Sequence, residues 1–253
     1  MYSADLSTAT VTHTKPRFHP RFPKPAEKPK HLARRTCMWI ELDELDQDVS
    51  ILIGHLNQIS QSEITENGNT STTCQGLPTE EYGYISFQAQ KLLILYRFIE
   101  SLMQRTKNTK ETQSCKQRPF ILAGYIYFHN HFQIPNSSQL VILSPMISEL
   151  KESLQGLGIG SIAELRPELF FWLLFVGGSA ASSDSSKSWF QLRLAEVSQK
   201  LFLLTWSDAK AVLRDFAWVE SPMDSEHESF WTEVQAINED VNMRMSWRTL
   251  PTF

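Results

Sequence analysis

One short apolar stretch strongly limits what this chain can fold into. The run from Leu169 to Ala181 reads LFFWLLFVGGSAA, and Pro167 stands just ahead of it. It is well short of the roughly 20 apolar residues that a membrane-spanning helix needs. A helix that is apolar on every side must be buried by neighbouring elements, and proline is tolerated in its first turn. We therefore predict a buried helix at the centre of a folded domain, and no membrane partner.

The rest of the chain shows helical periodicity. It has 253 residues, of which 42% are hydrophobic, so it can bury a large core. Apolar residues recur at three- and four-residue steps in residues 38–59, 86–105, 190–201 and 206–216, and strand-like alternation of any length is missing. The pattern predicts an all-α fold of about seven or eight helices, irregular in arrangement.

Proline and glycine suggest where two further helices begin and end. Pro119 and Pro145 each precede an apolar segment, so we expect them in the first turns of helices, with residues 106–118 forming a polar loop. A strand is a minority reading of residues 119–132 because of their aromatic and β-branched content. Gly156 should end the second of these helices.

Two capping boxes are predicted in the last fifty residues or so of the chain. Thr205 with Asp208, and Ser225 with Glu228, have the spacing at which a hydroxyl and a carboxylate cap a helix start reciprocally. Each pair is followed by a helical apolar pattern. We expect both pairs to lie at helix N-termini.

The first 35 residues form a segment of different composition. Residues 1–35 are rich in Pro and carry eight Lys/Arg against two Asp/Glu, about +6, whereas the whole chain carries −4. Such a composition does not sustain a packed core, so we predict a disordered basic arm at 1–35 and a helical domain at 36–253. Nuclear-import candidates within the arm are Lys24, Lys28, Lys30, Arg34 and Arg35.

Cysteine and histidine patterns offer little chemistry. Cys37, Cys74 and Cys115 are odd in number and far apart, which fits neither a disulfide framework nor a zinc site. His129 and His131 splay apart if residues 119–132 are helical and converge only on a strand, so a metal there is the less favoured reading. We expect no metal and no other cofactor.

The remaining motifs also have plain structural readings. The segment GLGIGS, from Gly156 to Ser161, lacks the preceding strand and the glycine spacing of a dinucleotide-binding loop. His227 is expected at a solvated helix start. The dense aromatic residues after Phe170 are more typical of core packing than of a ligand cage. No catalytic residue is nominated, and the chain is predicted not to be an enzyme.

Several segments together resemble a known family. They read RPFILAGYIYFH, ELRPELFFWLLFVGGSAA, WFQLRLAEVSQKLFLLTWSDAKAVLRDFAWVES and FWTEV, between Arg118 and Val234. This order is similar to the C-terminal half of the fungal-specific regulatory domain of zinc-cluster transcription factors. Its anchor positions are Pro167, Trp172, Gly177, Gly178, Trp189, Phe190, Trp206, Phe216, Trp218 and Trp231.

The resemblance implies an all-helical, non-catalytic regulatory module located in the nucleus, with cytoplasm as the alternative. The six-cysteine zinc cluster of those factors is missing, so no sequence-specific DNA contact is expected. Partners would be proteins, and a small-molecule effector is compatible with the module. The alternative function is a helical small-molecule-binding protein or enzyme whose aromatic residues line a pocket.

Overall fold

The described part of the protein is all-α, as predicted. A computed structural model describes residues 52, 54–56, 60, 87–104, 111–132, 137–156, 166–219 and 224–248. Residues 52, 54–56 and 60 are helical. The helices with defined bounds are α1 (Phe87–Gln104), α2 (Glu111–Phe132), α3 (Ser137–Gly156), α4 (Pro167–Ala180), α5 (Asp184–Lys200), α6 (Trp206–Asp215) and α7 (Asp224–Arg248). Within these ranges no helix is both long and apolar enough to cross a membrane.

Helix α4 is the buried centre that the apolar run predicts. Pro167 occupies its first turn, and every residue from Leu169 to Gly178 is buried. The helix packs against α2, α3, α5 and α6. Because its side chains are apolar all round, only such enclosure by several helices keeps them from water.

The glycine pair late in α4 allows two phenylalanines to approach the helix backbone. A β-carbon placed on Gly177 would lie 2.6 Å from Cε1 of Phe190, which belongs to α5. One placed on Gly178 would lie 2.5 Å from Cζ of Phe230 in α7 and 3.0 Å from Cβ of Phe190. The two glycines therefore permit a closer contact between helices than any side chain would allow.

Both internal prolines lie inside helices, which corrects the prediction that they begin them. Pro119 lies in α2, which starts at Glu111, and Pro145 lies in α3, which starts at Ser137. Residues 111–118 are thus helical rather than part of a polar loop. Arg118 explains some of this extension, because its guanidinium binds Glu149 of α3 and donates to the Leu102 carbonyl of α1 at 2.9 Å. These contacts oppose the cost of about 3 kcal/mol for proline in a helix interior.

One capping box is confirmed and the other is wrong. The Thr205 hydroxyl accepts from the Asp208 amide at 3.2 Å, and the Asp208 carboxylate accepts from the Thr205 amide at 2.8 Å. Helix α7 instead begins at Asp224, so Ser225 already lies in its first turn. Gly156 is the last residue of α3, as expected.

Candidate functional site

The tryptophans of the resemblance pack against other aromatic rings. Trp172 is fully buried, and its indole N–H donates to the Ala217 carbonyl at 2.9 Å. Trp206 stacks on Phe175 with ring centroids 5.7 Å apart. Trp231 contacts Phe171, and Trp189 contacts Phe190, both edge to face. These contacts support the interpretation of the aromatic residues as core.

His129 and His131 point in different directions, as their spacing on a helix predicts. The ring of His129 contacts Tyr125 at a centroid distance of 4.5 Å. The ring of His131 contacts Tyr127 at 4.2 Å and reaches the segment that follows α6 and the start of α7. The helical conformation of α2 removes the strand reading. Among the described residues no group of three or more His, Cys, Asp or Glu is arranged to hold a metal ion.

His227 is buried, which corrects the prediction that it lies at a solvated helix start. Its side chain is 3% exposed, and its ring lies 4.8 Å from Trp218 and 5.5 Å from His131 between centroids. His227 lies in the first turn of α7, three residues after Asp224, on the buried face of the helix. We call His131, Trp218 and His227 the histidine cluster.

Burial keeps the imidazoles of the histidine cluster neutral. Desolvation, with a smaller contribution from His227, lowers the pKa of His131 to about 3. Desolvation also lowers the pKa of His227, although Asp224 acts in the opposite direction. A buried charge is costly unless it is paired, so the neutral form is the one that fits this core.

The turn between α5 and α6 forms the clearest apolar feature on the described surface. Phe202 is 85% exposed and Leu204 is 78% exposed. Helix α5 ends in a Schellman motif, in which the Leu203 amide donates to the Ser198 carbonyl at 2.9 Å and the Phe202 amide to that of Gln199 at 3.2 Å. We call Phe202 and Leu204 the exposed turn.

Phe202 stands at the position of this motif that glycine usually occupies. Its φ is 55°, in the left-handed region. For a residue with a β-carbon this conformation costs about 1–2 kcal/mol. Because the side chain is almost fully exposed, packing within the described fold does not repay that cost.

The other predicted sites lie largely outside the described residues. These include the import candidates Lys24, Lys28, Lys30, Arg34 and Arg35, the arm at 1–35, and Cys37 and Cys74. Cys115 lies on α2.

Comparison with known proteins gave no relatives: no family, curated protein or solved structure matches this chain.

Two features of the structure were not predicted from the sequence, the exposed turn and the burial of His227. The confirmed capping box at Thr205 marks the start of α6. The apolar residues 201–204, LFLL, come directly before it and therefore lie between two helices, which was a usable signal for the exposed turn. For His227, the following Phe230, Trp231 and Val234 share its helix face at three- and four-residue steps, which was a signal for burial.

Proposed function

We propose that this protein is a non-catalytic module that regulates transcription through contacts with other proteins. The observation that carries the proposal is Phe202, an exposed aromatic residue held in a conformation that costs stability. Strained residues cluster at functional sites, and exposed aromatic side chains are enriched among the residues that dominate protein interfaces. The transcriptional setting comes from the resemblance of residues 118–234 to the fungal-specific regulatory domain of zinc-cluster transcription factors.

The exposed turn is preorganised for binding. Besides the two Schellman hydrogen bonds, Gln235 of α7 donates to the Leu203 carbonyl at 3.2 Å, and the Leu204 amide donates to Asp208 at 3.2 Å. The backbone is therefore fixed from both sides while the side chains of Phe202 and Leu204 project. A partner loses little backbone freedom of this turn on binding, which favours affinity.

The shape of the exposed turn favours one kind of partner. Small molecules bind in concave sites, whereas Phe202 projects from the surface. A projecting ring is buried only if the partner offers an apolar pocket, as at the centre of many protein interfaces. We therefore assign the exposed turn to a protein partner with an apolar pocket. The packed aromatic rings of the core give the alternative of a small-molecule-binding protein or enzyme no support.

A reporter assay tests this function. The full chain is fused to an unrelated DNA-binding domain in a fungal cell, and transcription from a matching promoter is measured. We expect the fusion to change transcription and the double variant Phe202→Ala, Leu204→Ala to abolish the change. Leu192→Ala is the matched control, because Leu192 is also exposed, at 44%, and lies on α5. Equal protein levels are checked for each variant.

Three results would contradict the proposal. The first is a wild-type fusion that leaves transcription unchanged, and the second is a double variant with full activity. The third comes from sedimentation of the purified chain: if the exposed turn drives self-association or binding to lipid vesicles instead, the assigned partner is wrong. If none of these results is obtained, photo-crosslinking from position 202 identifies the protein that binds the exposed turn.

A further inference from the structure

The histidine cluster joins three parts of the fold. His131 lies near the end of α2, Trp218 follows α6, and His227 lies near the start of α7. Their ring centroids form a triangle with sides of 4.8, 5.4 and 5.5 Å. Both ring nitrogens of His131, Nδ1 of His227 and Nε1 of Trp218 are buried without a hydrogen-bond partner in the described part of the chain. Ring contacts hold these groups in the core, and burying an unpaired polar atom is costly.

Few charged groups face the cluster, and the carboxylate among them acts on His227 rather than on His131. From α7, Asp224 favours the charged form of His227. Its Oδ2 accepts from Lys210 of α6 at 3.4 Å, and its Oδ1 is buried without a hydrogen-bond partner among the described residues. From α4, the group in contact is the ring of Phe175, which packs on both Trp218 and His227. From α2, the other histidine, His129, packs on Tyr125 instead. A proton on His131 would therefore enter an apolar setting that already contains a second imidazole, whereas a proton on His227 would have the Asp224 carboxylate nearby.

Helix α7 is held independently farther along its length. Glu233 pairs with Lys187 at 2.6 Å and accepts from Gln191 at 2.5 Å, both on α5. Asn238 accepts from Gln199 at 2.9 Å and donates to Ser198 at 3.0 Å. These polar contacts contain no histidine. Protonation of the cluster therefore leaves these contacts between α7 and α5 in place.

We propose that the histidine cluster is an acid-sensitive latch, which fastens the start of α7 to the end of α2 and releases it when the imidazoles take up protons. In the closed state the two rings are neutral and touch Trp218. In the open state they reach water, where an imidazole is readily charged. Release exposes Trp218 and the inner face of the first turns of α7. This regulatory role is separate from the proposed contact made by the exposed turn.

The size of the response follows from proton linkage. A histidine in water has a pKa of about 6.5, and burial lowers that of His131 to about 3. Between about pH 7.5 and about pH 4.5, His131 alone favours the open state by about 100-fold. His227 adds to the response in the same direction, because its pKa is also lowered by burial. Opening should consume close to one proton at His131, and His227 adds to this uptake.

Circular dichroism of the full chain as a function of pH tests the latch. Near-ultraviolet signals report the packing of the tryptophans, and far-ultraviolet signals report helix content. We expect the near-ultraviolet signal to change at a higher pH than the far-ultraviolet signal, and this early change to be smaller in Trp218→Phe. The latch is overturned if both signals change at the same pH. It is also overturned if the early near-ultraviolet change keeps its full size in Trp218→Phe.

Glutamine variants show which histidines take up the protons of the early change. His131→Gln and His227→Gln should each reduce the proton uptake of the early change and move it to lower pH, and either variant suffices if the other does not fold. His129→Gln is the matched control, since its ring is buried on the same helix but packs elsewhere. It should leave the early change in place and move the later loss of helix. If His129→Gln moves the early change as much as the cluster variants do, the response is general acid unfolding and the latch is refuted.

Discussion

The substitution Gly178→Val tests the packing at the centre of the fold. A β-carbon at this position would lie 2.5 Å from Cζ of Phe230 and 3.0 Å from Cβ of Phe190. Both rings are buried, at 4% and 0% exposure, and the contacted Cβ of Phe190 is fixed to its own backbone. Neither helix α5 nor helix α7 can therefore accept the new side chain without moving.

The expected loss follows from two opposing effects. Valine in a helix interior is better than glycine by a few tenths of a kcal/mol, about 0.4. Overpacking a tight core costs about 1–3 kcal/mol and more where the backbone must shift. Because valine adds three carbon atoms at a contact already too close for one, we expect a net loss of about 3 kcal/mol in the free energy of unfolding.

Equilibrium denaturation by urea measures this loss, with Gly156→Val as the matched control. Gly156 ends α3, and a β-carbon there meets nothing within 4 Å. The control should change stability by less than about 0.5 kcal/mol, as is usual for surface substitutions. An unchanged midpoint for Gly178→Val, or an equal loss for both variants, would refute the close-contact reasoning.

Four further results are expected. Phe202→Gly should raise stability by about 1 kcal/mol by removing the left-handed strain, and a loss measured by calorimetry would contradict this. Trp172→Phe should cost about 2 kcal/mol in urea denaturation, because the hydrogen bond to Ala217 is lost in a dry core; no change would argue against that bond. His129, with its pKa lowered by burial to about 4, takes up a proton only on unfolding between about pH 6.5 and about pH 4, so its contribution to stability should fall by about 3 kcal/mol as pH falls through that window. Urea denaturation at several pH values checks this: the free energy of unfolding should depend less on pH in His129→Gln than in the wild type. Deleting residues 1–35 should leave helix content unchanged and move a tagged protein from nucleus to cytoplasm; retained nuclear location would reject the import role.

Periodicity was enough to predict the fold class, but it did not predict the extent of each helix. The apolar run of α4 and the Thr205 box were found because both are local patterns. The lengths of α2 and α3 were missed because proline is a local signal for a boundary, whereas Arg118 joins residues on three helices. Contacts between distant residues decide such cases, and a single sequence does not display them.

Local propensity is overridden at two kinds of position, and only one of them is explained by packing. Gly177 and Gly178 stand inside a helix, where glycine is unfavourable, and the rings of Phe190 and Phe230 show why. Phe202 stands where glycine is favoured, yet its ring is almost fully exposed. The cost of the first choice is recovered inside the fold. The cost of the second has no such return among the described residues. A partner that buries the ring would supply one, which is why we propose the interaction site there.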